Sequence, residues 1–499
     1  MAGEPASAAT PSLGRLAAGG ALLTMGGQLV KTAVQFGGIV LLARLLTPRD
    51  YGLFAMVLAI IGVGEVVRDF GLSSAAIQAR QLTAGQRDNL FWINTGIGLS
   101  LATCMFAAAG AIAGFYHEPL LVPVAQAASV TLLLNGLATQ FRADLGRGMR
   151  FRSLALADVG GQAAGLGTAI AAALAGWGYW ALVLQALAQA ATLLALLVLA
   201  SRWRPGLPRR DADMRPLLRF GGNLMASQLL TYFSNNLGQI LVGSRLGPVA
   251  LGHYNRAFAL LMVPLTQLNA PATTVALPVL SRLQDDPARY SAFLLRGQAT
   301  LMHLLMAGLA FGCALADPLI DLVLGKAWAP AAPLFRILLV GGLLQAAGYA
   351  AYWVFLSRDL TGPQLRYSIV SRVLVIACIG IGAQWGVTGV ATGYSTGMAI
   401  SWPLVLWWLA RCCPGAPTGG MLRGGARAMA GYGLCGLAAH VASLPLAGLP
   451  APWVLLAGAT AMAATFSLLC LLWPAFRRDV AGILHTRTLL RSARSDVSP

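Results

Sequence analysis

Charge is what this chain has least of. Asp, Glu, Lys and Arg make up 10% of its 499 residues, where a soluble globular protein carries about 25%. Acidic residues number 17 and basic residues 35, and only Lys31 and Lys326 are lysines. The five histidines are dispersed and the seven cysteines form no CxxC pair, so no metal and no cofactor is expected. No GxxxxGK occurs, which argues against direct ATP hydrolysis. No Ser/His/Asp constellation suggests an enzyme. No basic tract interleaved with aromatics suggests a grip on nucleic acid, despite the net charge of +18. What remains is apolar: 57% of the residues are hydrophobic, in stretches too long and too many for a soluble core. The composition reads as an all-α polytopic membrane protein.

Fourteen spans are expected, near 17–43, 51–72, 90–115, 119–140, 154–175, 178–200, 217–243, 250–279, 292–316, 331–356, 367–384, 387–410, 425–447 and 452–473. Proline, glycine and charge clusters such as Thr47-Pro48-Arg49-Asp50 and Asp285-Asp286-Pro287 mark the junctions. With the N-terminus inside, 27 of the 35 basic residues go with the even-numbered loops and the two tails, counting Arg219, Arg296, Arg372 and Arg427 near the span ends as loop residues. Only Arg44, Arg49, Arg245 and Lys326 fall in odd-numbered loops, and Lys31, Arg68, Arg256 and Arg336 fall within spans. That bias supports both termini being cytoplasmic. The expected organisation is a disordered N-terminus (1–16) ahead of an uncleaved signal anchor, a six-helix bundle (17–200), a basic linker (201–216), and a second six-helix bundle (217–411). Two extra spans (425–473) and a basic tail (474–499) follow. A weak repeat supports the two bundles, since Arg44–Gly52 and Arg245–Gly252 share an R-L…P-x3-G turn between long spans. Parallel repeats place a substrate path around a central cavity. Gly110-x3-Gly114, Gly161-x3-Gly165 and Gly393-x3-Gly397 are expected to let helices pack closely.

Polar groups inside such spans are costly and therefore informative. Thr24, Gln28, Lys31 and Gln35 lie four, three and four residues apart, one stripe along the first helix. A charge at that depth costs about 3 kcal/mol on insertion scales. Either the stripe lines a water-filled cavity, or Lys31 reaches the nearest interface or a carboxylate on another helix. Thr231, Asn235 and Gln239 make the corresponding stripe in the second copy, and Arg256 shares a face with Gln267 on the eighth span. Arg336 lies about a turn inside the tenth. Lys31, Arg256 and Arg336, if they converge, make a cationic cavity suited to a pyrophosphate or an acidic sugar. The alternative for both arginines is snorkelling to the interface. Glu65, Arg68 and Asp69 sit on one face of the second span, either as a proton or sodium relay or gate, or as an ion pair that neutralises itself. Asp158 is a coupling site or the partner of a nearby arginine.

Several stretches, in order and spacing, resemble a known family: Ala43–Ala55 (ARLLTPRDYGLFA), Asp69–Gln78 (DFGLSSAAIQ), Phe91–Asn94 (FWIN), Gly176–Gln185 (GWGYWALVLQ), Leu251–Pro271, Ala276–Asp286 and Gly325–Leu338. They extend over roughly residues 20–410. The chain resembles the Wzx-type oligosaccharide flippases of the polysaccharide transporter family, in the multidrug/oligosaccharidyl-lipid/polysaccharide exporter superfamily. The last two spans and the tail match in hydropathy only. The resemblance implies two bundles alternating access to a cavity, with a polyprenyl-pyrophosphate-linked oligosaccharide moving from the cytoplasmic to the periplasmic leaflet of the bacterial inner membrane. It implies that Lys31 and Arg256 hold the substrate, and that membrane lipid, a polysaccharide polymerase and other synthesis proteins are partners. The other readings are a cation-coupled multidrug exporter of the same superfamily, the lipid-linked peptidoglycan-precursor flippase, and a scaffold of a polysaccharide synthesis complex. A polymerase or ligase needs a large extracytoplasmic loop bearing Arg or His, which the chain lacks.

Overall fold

The computed structural model describes residue 30 and residues 32–69, 83–208, 214–446 and 448–482. Among these residues the regular structure is helical throughout and no strand occurs. That is the outcome apolar spans require, since a helix satisfies its backbone hydrogen bonds internally where no water is available. By packing, the chain divides into two units, Met1–Asn235 and Asn236–Pro499.

The described helices of the first unit are α1 (Thr32–Leu45), α2 (Pro48–Asp69), α3 (Ala84–Ala107), the short α4 (Ala109–Tyr116), α5 (Leu121–Arg147), α6 (Phe151–Leu174) and α7 (Trp180–Ser201). Their starts are written in the sequence. At α2, the Thr47 hydroxyl accepts from the Asp50 amide at 3.3 Å, the Asp50 carboxylate accepts from the Thr47 amide at 2.9 Å, and Pro48 occupies the first helical position. At α3, Thr83 and Gln86 form the same reciprocal cap at 3.2 and 3.1 Å. Gly161 and Gly165 behave as expected. A side chain on either would run into α7, 3.1 Å from the Gln189 carbonyl and 2.8 Å from the Gln185 carbonyl. Gly110 and Gly114 do not: a Cβ on either would meet nothing within 4 Å, so that pair is not a packing seam. Both lie on the eight-residue α4, which a one-residue break at Ala108 separates from α3.

A long helical stretch, Arg215–Arg282, is broken at Gly247, whose φ of 80° is open to glycine and strained for other residues. We treat it as α8 (215–246) and α9 (248–282), with Pro248 opening the second. This is the turn that the sequence repeat marks. The division between units falls inside α8 rather than in the basic linker. Its first part packs on the first unit, where the Tyr232 hydroxyl donates to the Ala59 carbonyl at 2.9 Å.

The second unit continues with α10 (Pro287–Ala314), α11 (Ala316–Val323), α12 (Ala331–Ser357), α13 (Thr361–Gly382), α14 (Gly386–Cys412), α15 (Thr418–Ser443), α16 (Ala451–Leu472) and α17 (474–482). Asp286 caps α10 by accepting from the Arg289 amide at 3.0 Å. Gly393 lets α14 lie directly against the Cys378 carbonyl of α13. Met302, Met306, Ala428, Tyr432 and the fully buried Phe476 form one core cluster. The start of the expected basic tail is therefore docked against α10 and α15. Among the described residues, eleven helical stretches are long and apolar enough to cross a membrane, which makes this a multi-pass membrane protein. Two of the eleven, Asn236–Arg282 and Thr361–Cys412, contain the break at Gly247 and the turn between α13 and α14. Most of the first expected span lies outside the described residues.

Candidate functional site

Among the described residues, three polar networks involve the residues expected to form the site. The first is in the first unit, on α2 and α5. The Arg68 guanidinium donates to the Glu65 carboxylate through Nε at 2.9 Å and through Nη2 at 2.5 Å. Its Nη1 donates to the Asn135 carbonyl at 2.8 Å and to the Thr139 hydroxyl. The Asn135 side-chain amide donates back to Glu65 Oε1 at 2.7 Å. The Thr139 hydroxyl itself donates to the Asn135 carbonyl at 2.8 Å. Arg68 is 14% exposed and Glu65 27%, so the pair sits largely in protein rather than at an open surface. Asn135 and Thr139, four apart on α5, are not among the residues the sequence pattern singles out. Their i, i+4 spacing in an apolar span was the available signal. The Asp69 side chain lies outside the described residues.

The second network is at the ends of α3, α5, α6 and α7. Asp158 is ion-paired with Arg142 of α5, sixteen residues before it in sequence. Arg87 pairs with Asp144 at 2.9 Å and lies 4.5 Å over the Trp203 ring. Trp203 packs on Phe91 and Phe141, and Trp92 donates to the Gly206 carbonyl at 2.8 Å. The start of the basic linker is thus held against the bundle.

The third network is in the second unit, where α8 meets α9. Gln239 donates to Asn236 at 3.4 Å and accepts from the Asn255 amide at 2.7 Å. The Asn255 oxygen accepts from Arg256 Nη2 at 3.1 Å. Gln239 and Arg256 each lie eight or nine residues from Gly247, about 12 to 14 Å along their helices at 1.5 Å per residue. The structure therefore joins two of the expected site residues, Gln239 and Arg256, through Asn255. Gln267 lies three turns further along α9 and is half-buried. Arg336 is turned elsewhere: it pairs with Asp317, and its Nε donates to the Cys313 carbonyl at 3.3 Å. Its side chain is 38% exposed and that of Asp317 is 66% exposed, as expected near an interface. Gln35 is exposed on α1. Gln28, Lys31 and the Asn235 side chain lie outside the described residues.

These networks hold polar and cationic groups in an apolar frame, and none sets a nucleophile beside a base. A family model described as polysaccharide biosynthesis protein matches residues 41–333, more than half of the chain. The chain belongs to this family. It is 25% identical over 360 residues to the lipopolysaccharide biosynthesis protein WzxC of Escherichia coli, covering 71% of this chain and 72% of the relative. It is 26% identical over 378 residues to the succinoglycan biosynthesis transport protein ExoT of Rhizobium meliloti, covering 72% and 76%. The teichuronic acid biosynthesis protein TuaB of Bacillus subtilis is 25% identical over 339 residues, covering 67% and 70%. Among solved structures, the lipid II flippase MurJ in an inward closed conformation is similar in fold, with a TM-score of 0.70 at 13% identity over 90% of this chain and 98% of that one. An inward-facing multidrug resistance MATE family transporter follows with a TM-score of 0.60 at 14% identity, covering 81% and 99%. The fold is thus that of the MurJ and MATE transporters.

Proposed function

We propose that this protein is a flippase. It carries polyprenyl-pyrophosphate-linked oligosaccharide repeat units, with undecaprenyl as the lipid, from the cytoplasmic to the periplasmic leaflet by alternating access. The product feeds exopolysaccharide or lipopolysaccharide synthesis. The observation that carries this reading is the Asn236–Gln239–Asn255–Arg256 run within membrane helices of a polysaccharide biosynthesis family member. A sugar head group dragged through hydrocarbon loses water from many hydroxyls, at several kcal/mol each. Amide side chains replace those hydrogen bonds, and a guanidinium offers charge-assisted ones to a phosphate. The polyprenyl tail stays in lipid. No bond changes, so the protein acts as a transporter and not as an enzyme.

In this reading Gln28, Lys31, Gln35, Asn235, Gln239, Arg256 and Gln267 face the substrate, and Glu65, Arg68, Asp69 and Asp158 belong to the gate or its scaffold. The protein sits in the bacterial inner membrane with fourteen spans and both ends in the cytoplasm. A polymerase receives the flipped unit. The test is leaflet accessibility: lipid-linked repeat units are loaded on one side of vesicles, and a membrane-impermeant probe reads the other. Units that reach the probe only in vesicles holding the protein support the proposal. Equal exposure without the protein overturns it in favour of a scaffold role. Export of amphipathic cations without movement of the lipid-linked sugar favours a multidrug exporter.

A further inference from the structure

In the second unit a cavity of about 390 Å³ is lined by four arginines and one carboxylate. Arg296 comes from α10, Arg423 and Arg427 from α15, and Arg478 and Asp479 from α17. Arg296 is the tenth residue of its helix, and Arg423 and Arg427 are the sixth and tenth of theirs. Arg478 lies six residues past the end of α16 at Leu472. α15 packs on both α10 and α16, so these helix ends share one face of the membrane. The cavity therefore lies between these helix ends, toward one end of segments long and apolar enough to cross a membrane.

Its charge is not balanced internally. Asp479 is taken by Arg427, which grips both carboxylate oxygens at 2.6 and 2.8 Å. Among the described residues no carboxylate pairs with Arg296, Arg423 or Arg478. Four arginines against one aspartate leave three positive charges in excess. Gly424 lines the cavity, and a Cβ added there would meet nothing within 4 Å, so a larger side chain has room to enter. Leu422 is 45% exposed beside it, and Leu471 and Leu472 are each 73% exposed at the end of α16. Three of the four arginines lie beyond the matched family segment, which ends at residue 333.

We propose that this cavity is a binding site for the phosphodiester head group of an anionic membrane glycerophospholipid. The arginines take the phosphate, and the leucines lie along the acyl chains. Basic pockets between membrane helices recognise lipid phosphates in this way, and each cation near an anionic surface strengthens binding severalfold. The pyrophosphate of a polyprenyl lipid and free phosphate share the chemistry. The position outside the matched segment favours the bulk lipid, and the site is independent of what the protein transports.

The test uses the full chain in mixed micelles, with lipid retention read by native mass spectrometry. Wild type is expected to retain phosphatidylglycerol over phosphatidylcholine by about tenfold or more, since each unpaired arginine beside an anionic head group strengthens binding severalfold. Two variants are expected to lose that preference: the double substitution Arg296→Gln with Arg423→Gln, and Gly424→Leu, which fills the cavity and keeps every charge. Both leave the Arg427–Asp479 pair in place, and thermal unfolding in phosphatidylcholine shows that they are folded. Equal retention of the two lipids by wild type overturns the proposal, as does a preference that survives in both variants. Displacement of the lipid by equimolar inorganic phosphate assigns the site to a free anion. Displacement by equimolar undecaprenyl pyrophosphate assigns it to the polyprenyl lipid. Either result rejects the phospholipid assignment.

Discussion

Asn135 meets the Glu65–Arg68 pair at both ends: its side-chain amide donates to Glu65 at 2.7 Å while its backbone carbonyl accepts from Arg68 at 2.8 Å. One residue of α5 thus bonds to both members of this α2 ion pair. Removing one member leaves the others without partners in a poorly hydrated place. Arg68→Ala is expected to destabilise the protein by about 2 to 3 kcal/mol, somewhat below the cost of breaking a fully buried pair. Unfolding in detergent, by heat or denaturant, checks it. An unchanged midpoint would mean that the network does not form. Glu65→Gln keeps an acceptor for Asn135, so transport per folded molecule is expected to persist. Its loss at normal stability would assign Glu65 to coupling or gating.

Lys31→Ala is expected to abolish or severely impair polymer export while the folded protein accumulates normally. The charge stands on a polar stripe of an apolar span, where its cost calls for a use. Cell-surface polymer measured against protein level decides. Normal polymer from a normally expressed variant removes Lys31 from the central role.

Arg256 and Arg336 are expected to part company. Arg256 ends a run of amides inside the helix pair, and Arg256→Ala should cut transport by about tenfold or more, as loss of a charge-assisted phosphate contact implies. Arg336 is held by the exposed Asp317, and Arg336→Ala should cost under about 1 kcal/mol of stability with little effect on transport. Assays of both variants in the same vesicles test the contrast. Equal loss would put Arg336 on the substrate path as well.

Gly165→Leu is expected to destabilise the first unit by about 1 to 3 kcal/mol, because the new side chain meets the Gln185 carbonyl and the Gln189 side chain of α7. Gly110→Leu, in open space, should be silent by comparison. Paired unfolding curves distinguish a packing seam from a pair of small residues that merely share its spacing.

The difference between those glycines shows where reading the chain stops. G-x3-G spacing marks one helix face, but whether a neighbour lies against that face depends on residues far away in sequence. Asp158 illustrates the same limit. Arg150 and Arg152 were nearest along the chain, yet Arg142 on α5 became its partner. The Glu65–Arg68 pairing was legible because it is local, three residues along one helix. Asn135 and Thr139 were not, since they reach that pair across some seventy residues. The tail shows it too: composition marks 474–499 as a basic tail, and one phenylalanine, Phe476, docks its start in the core.

Composition and the length of the apolar runs determined that this protein crosses a membrane many times as helices, because hydrocarbon offers the backbone N–H and C=O groups no water and a helix satisfies them within each span. Local pattern also placed the turns at Thr47–Asp50 and Gly247–Pro248, where caps, proline and a glycine-tolerant φ act within a few residues. Only the tertiary structure decided which buried charges are paired, which polar side chains form continuous runs, and which arginines gather around a cavity. Those outcomes depend on distances between helices, and a distance between helices is set by the packing of many side chains at once.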